Sequence, residues 1–111
     1  MPLYNPTSVT VASSTSGVAI ASSVIASFSS VSLLAVNPSR KGATIFNNST
    51  ANLYVELGEI ANIQDFTVRV ASFGYYEIPF TYTGEISGAW DAVNGAALVR
   101  EFVEVLVVNN E

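Results

Sequence analysis

The chain has 111 residues, with four Lys and Arg against nine Asp and Glu for a net charge of −5, and it is 12% charged although 50% hydrophobic. It contains no histidine and no cysteine, which excludes a disulfide framework, zinc-finger spacing, a thiol nucleophile and a Ser-His-Asp triad. Four cations in an acidic chain do not make the phosphate-neutralising stripe on which non-specific nucleic-acid binding rests, so no nucleic-acid partner is expected.

The length is that of a single domain, but two halves differ in character. Residues 1–39 carry no charged side chain, and ten of the first 36 residues are serine. Disordered tails stay solvated through charge, whereas this segment is rich in Val, Ile, Ala and Ser, which suit a pleated, partly buried surface. It is therefore expected to be ordered by contact, either with the rest of the domain or with a neighbouring subunit. The division expected is an arm over residues 1–29, partly strand, ahead of a β-sandwich domain over residues 30–111. Val9, Val11, Val18 and Ile20 mark short strands in the arm, with a Ser-rich turn at 13–17 between them. The first six residues have no Lys or Arg and precede Ser and Thr, which speaks against a secretory signal. The stretch 18–36 is broken by six serines and falls short of the roughly 20 apolar residues of a membrane span. No membrane partner is expected, and synthesis in a cytoplasm is.

From Arg40 onward strand and turn alternate. Residues 30–35 read as a strand closed by Asn37-Pro38-Ser39, and 43–47 as the next, ended by Asn48-Ser49-Thr50. Leu53, Val55 and Leu57 alternate with Tyr54 and Glu56, the period-2 pattern of a strand with one wet face. Phe66, Val68 and Val70 repeat it, and 75–78 form a strand that Pro79 closes at an edge or exit. Residues 85–90 lie between glycines, and Asn94-Gly95 is the strongest hairpin signal in the sequence. In 98–108 the residues Leu98, Arg100, Phe102 and Glu104 alternate with Val99, Val103 and Val105. No window holds apolar residues at helical spacing over three turns. Seven to nine short strands in such a length predict an all-β fold, an antiparallel β-sandwich or jelly-roll-like barrel, with topology open.

Paired carboxylates are the only catalytic chemistry that the composition leaves. Glu101 and Glu104 are three apart and point to opposite faces of a strand, while Glu56 and Glu59 straddle Gly58 in what reads as a solvated turn. Glu77 and Glu85 could approach one another, but the plainer reading is structural. No enzyme, no catalytic residue and no cofactor is expected. The two aspartates, Asp65 and Asp91, belong to no calcium loop, so no metal is expected either.

What remains is surface. Arg40-Lys41 is the one basic pair, read either as a solvated hinge or as a docking contact on an acidic partner. Tyr75, Tyr76, Phe80, Tyr82 and Trp90 concentrate the aromatic residues; most suit core or cross-strand pairs, and some suit interface anchors or a sugar-stacking platform. Arg40, Lys41, Tyr75, Tyr76, Tyr82 and Trp90 are accordingly the candidate partner-interface residues. An average globular protein is about one quarter charged, so a chain with half that is expected to hide much of its exterior against copies of itself or a larger scaffold.

The run from Ser30 to Val55, Phe66-Thr67-Val68-Arg69-Val70, residues 74–80 around Tyr75-Tyr76, residues 82–90 ending in Trp90, then Asn94-Gly95 and Val99 to Glu101 follow one another in an order that resembles small tailed-bacteriophage virion proteins. The resemblance covers roughly residues 22–104. Phe73 departs from it where a second glycine is expected before Gly74, as does Arg100 where threonine is commoner. Within that group a short free-standing chain is most similar to a capsid decoration, or cement, protein. The resemblance implies a non-enzymatic protein on the outer surface of the virion that binds the major capsid protein and itself, as a homotrimer in preference to a dimer. It equally allows a receptor- or glycan-binding module of a tail or head fibre.

Overall fold

The computed structural model of the protein describes residues 12–109, with side chains from residue 17 to 105. Its eight strands are β1 (Ala12–Ile25), β2 (Val31–Leu34), β3 (Arg40–Asn48), β4 (Leu53–Glu56), β5 (Val68–Val70), β6 (Tyr75–Glu77), β7 (Ile86–Trp90) and β8 (Ala96–Asn109). They form two four-stranded sheets in the orders β1-β8-β3-β6 and β2-β7-β4-β5, and every pairing is antiparallel. Among the described residues there is no helix, and none could cross a membrane as one.

The pairings nest: β4 with β5, β3 with β6, β2 with β7, β1 with β8. That is one long two-stranded ribbon rolled up on itself, which is the jelly roll. The sandwich expected from the sequence is present, and the order of its strands is now fixed.

The core is the space between the sheets, and strict alternation fills it. β3 buries Ala43, Ile45 and Asn47, β8 buries Ala97, Val99, Glu101 and Val103, and β4 buries Leu53 and Val55. Opposite them lie Leu33, Val70, Ile86 and Trp90. β7 is buried along all five residues, on both faces. Gly88 faces the core there, where a Cβ would come within 2.9 Å of Leu33 and 3.0 Å of Leu53. Ser87 and Ala89 face the other way and are covered by the 57–67 connection, which takes a hydrogen bond from the Ser87 hydroxyl on the Gly58 carbonyl. The same connection is tied to the chain before β2, where the Ala61 amide donates to the Ser30 hydroxyl at 2.9 Å. The outer face of the second sheet is thus roofed over β7 by its own loop, while Ser32 of β2 and Arg69 of β5 stay exposed.

Two sequence expectations give way. β1 runs unbroken against β8 from Ala12 opposite Asn109 to Ile25 opposite Ala96, so no turn interrupts 13–17. The Ser and Gly residues that read as a turn are held extended by the facing strand, and Gly17 has open space around its Cβ position. The partner of this part of the arm is therefore the rest of the domain; Val9 and Val11 lie outside the described residues. Asn94-Gly95 is not a hairpin turn, because β7 and β8 belong to different sheets. It is a corner between the sheets, where Gly95 has φ 72° and the Asn94 side chain accepts hydrogen bonds from the Ser49 hydroxyl and the Thr50 amide. A short-range pattern reads the tight turn but not the sheet to which the chain returns.

Candidate functional site

A β-bulge decides where the basic pair goes. Arg40 lies opposite Val103 and Gly42 opposite Phe102, so Lys41 is an extra residue in β3. Without it, Arg40 and Gly42 would share a face; with it, Arg40 turns inward and Gly42 outward. Arg40 is 1% exposed. Its Nε donates to Glu101 Oε2 at 2.9 Å, and its terminal nitrogens donate to the carbonyls of Tyr82, Gly84 and Ala35 at 3.2, 2.8 and 2.6 Å. Glu101 also accepts from Asn37 Nδ2 at 3.2 Å. The guanidinium thereby clamps the chain before β3 and the chain before β7 onto β8, with its charge compensated.

Trp90 is fully buried, and its Nε1 donates to Asn47 Oδ1 at 3.1 Å. Asn47 in turn donates to the carbonyls of Ala51, Val70 and Ala71. Arg40 and Trp90, both expected on a partner surface, are therefore corrected to internal fasteners that present no side chain to a partner. Tyr76 and Tyr82 are half-buried and pack on the core, with the Tyr82 hydroxyl donating to the Glu85 carbonyl at 2.8 Å. Lys41 and Tyr75 remain at the surface, Lys41 pairing with Glu104 at 3.4 Å and Tyr75 being 66% exposed.

Lys41 and Tyr75 lie on one face, the outer side of the first sheet, which no loop covers among the described residues. Cross-strand register arranges it in rows. Tyr75, Phe46, Leu98 and Ser23 form one, and Glu77, Thr44, Arg100 and Ala21 the next. Gly42, Phe102 and Ala19 follow, and then Lys41 beside Glu104. Past Glu77 the chain turns through Pro79 and Phe80, which is 76% exposed. Between that turn and the bulge lies an open cleft of about 480 Å³ whose walls include Lys41, Gly42, Glu77, Pro79, Phe80 and Phe102.

The charges on this face cancel: Lys41 and Arg100 against Glu77 and Glu104. The Arg40–Glu101 pair cancels inside. Among the described residues the acidic excess therefore consists of Glu56, Glu59, Asp65, Asp91 and Glu85 less Arg69, none of them in a strand of the first sheet. On the opposite side Asp91 accepts from the Asn52 amide and side chain and from the Tyr54 hydroxyl. The Asn52 side chain foremost holds its carboxyl below the ordinary value of 3.8.

Glu101 is engaged by Arg40, Glu56 accepts from the Thr67 hydroxyl at 3.1 Å, Glu77 ends β6 of the first sheet, and Glu85 lies in the connection just before β7 of the second. Among the described residues, no three of His, Cys, Asp or Glu converge as metal ligands. Sequence reasoning missed Phe46, Leu98 and Phe102 as surface residues. The alternation of β8 marked one set of residues as sharing a face, but nothing local says which face a neighbour leaves open. No family model, no curated protein and no solved structure matches the chain.

Proposed function

We propose that this protein is a non-enzymatic structural component of a phage virion that decorates and stabilises the capsid exterior by binding itself and, through the open face of its first sheet, major capsid protein subunits. The observation that carries this reading is the contrast between the two outer faces. One is roofed over β7 by residues 57–67, which carry Glu59 and Asp65. The other is uncovered among the described residues, neutral in sum and set with Tyr75, Phe46, Leu98, Phe102 and Phe80. Rows of apolar residues alternating with balanced charges suit a broad protein surface, where aromatic anchors supply affinity and charges fix register. The jelly roll occurs in viral shell proteins and in lectins alike, and carries no function of its own. What supports the role is this surface, together with the resemblance of residues 22–104 to phage virion proteins.

The glycan-binding alternative draws less support. Of the four aromatic residues expected to build its platform, Trp90 is inside, Tyr76 and Tyr82 are packed on the core, and Tyr75 alone is exposed.

A protein that binds the assembled lattice and not its separated subunits stabilises the lattice by mass action. Heads lacking this protein are expected to rupture at lower temperature than complete heads, and adding the protein back restores the difference. Equal rupture temperatures would overturn the stabilising role.

A further inference from the structure

We propose that the free edge of β1 pairs antiparallel, about a two-fold axis, with β1 of a second copy, joining two first sheets into one continuous sheet. The proposal rests on the self-binding in the reading above, takes the dimer in place of the homotrimer that the resemblance prefers, and names the surface that performs it.

The hydrogen-bond ladder identifies which backbone groups are free. The Ala26 amide donates to the Gly95 carbonyl at 3.1 Å, one step beyond Ile25 opposite Ala96. In an antiparallel ladder the bonded positions alternate. Val18, Ile20, Ser22 and Val24 therefore turn their amides and carbonyls to β8, while Gly17, Ala19, Ala21, Ser23 and Ile25 turn theirs to the open side. Among the described residues, no strand pairs there.

Edges of this kind are normally blunted by shortness, charge, proline or a bulge. The other three edge strands are short: β2 has four residues, and β5 and β6 have three each. β1 has 14 residues and follows β8 without a register shift. It carries no charge and no proline.

Three features select a second copy as the occupant. An uncharged strand opposite itself sets no like charges across the axis, even in a chain of net charge −5. On the outer face, Gly17, Ala19 and Ala21 offer no bulk against a close approach. On the inner face, Val18 and Ile20 of β1 and Val105 of β8 are 40%, 46% and 44% exposed. An axis near Ala19 to Ala21 sets Val18 and Ile20 beside the same residues of the second copy, extending the apolar stripe across both sandwiches.

The test uses the isolated protein without capsids, so a failure here overturns the pairing while capsid binding is judged separately on particles. Sedimentation equilibrium is expected to give twice the chain mass of 11.7 kDa. Ala21→Pro deletes one free-side donor and spares the β8 ladder; it is expected to weaken dimerisation at least about tenfold with the circular dichroism unchanged. Should that variant fail to fold, Ala19→Lys decides, since it sets cations across the axis. Because the chain has no cysteine, Ala19→Cys, Ala21→Cys and Ser23→Cys can form disulfides only between copies. Mild oxidation is expected to link one position best, with yields falling on either side. A wild-type protein of single-chain mass at millimolar concentration, a folded Ala21→Pro or Ala19→Lys variant that dimerises like wild type, or equal cross-linking at all three positions would overturn the proposal.

Discussion

Arg40 is a buried charge that ties three segments of this structure together. Its four hydrogen bonds reach the Glu101 carboxylate and three backbone carbonyls, and at 1% exposure the side chain is shut off from bulk solvent. Removing one partner of a buried pair leaves the other charge uncompensated, a cost of about 3–5 kcal/mol. Arg40→Met is therefore expected to lower the unfolding free energy by about that amount in urea titration, whereas Lys41→Ala, which breaks a pair about half exposed on both sides, should change it by less than about 1 kcal/mol. Similar losses in the two variants would contradict the assignment of Arg40 to the interior. Phe73 presents the opposite situation. It has φ 58° in a turn where the Gly74 amide donates to the Ala71 carbonyl at 2.8 Å, and a side chain in the left-handed region costs roughly 1–2 kcal/mol. Glycine removes that strain but gains freedom in the unfolded chain. Phe73→Gly is expected to raise the melting temperature by roughly 2–6 °C; a lower melting temperature would mean that the exposed ring contributes more than the backbone strain costs.

Strands were legible in the sequence wherever one face is wet and the other dry. β4, β5 and β8 show the alternation directly, and Pro38 and Pro79 mark strand exits. Three features were not legible, for three reasons. The bulge at Lys41 is a choice of register between β3 and β8, so Arg40-Lys41 read as one basic pair although its members face opposite ways. The corner at Asn94-Gly95 has hairpin chemistry but joins two sheets. β1 looked like an arm with a turn because Ser and Gly are turn formers, and only the facing β8 holds them extended. At the scale of β7, burial on both faces gives Gly88 a packing role: the close approach of Leu33 and Leu53 leaves no room for a methyl. Gly88→Ala is expected to destabilise by about 1–3 kcal/mol, measured by thermal or denaturant unfolding. An unchanged midpoint would show that Leu33 and Leu53 move aside freely.

For the whole molecule, the distribution of charge matters more than its amount. The shortage of ionisable residues suggested concealed surface, and the fold gives that suggestion a direction. Among the described residues the acidic excess lies away from the outer face of the first sheet, whose own charges balance. One sheet is covered from within the chain and the other is left open, so a single sandwich has a side for solvent and a side for a neighbour. The long edge of β1 lies in the same sheet as the open face. Edge pairing would therefore set two open faces side by side and double the area offered to a lattice. Affinity then comes from few anchors repeated, which is how weak neutral contacts become strong by multivalency.

The most direct measurement is co-sedimentation of the isolated protein with heads stripped of it, comparing wild type with Phe102→Asp on the open face and Ile60→Asp on the roofed one. Both residues are exposed, at 40% and 72%, so neither substitution buries a charge in the core. Saturable binding that Phe102→Asp weakens at least about tenfold, and that Ile60→Asp leaves unchanged, is the predicted result. Equal binding by all three proteins, or a loss confined to Ile60→Asp, would contradict it.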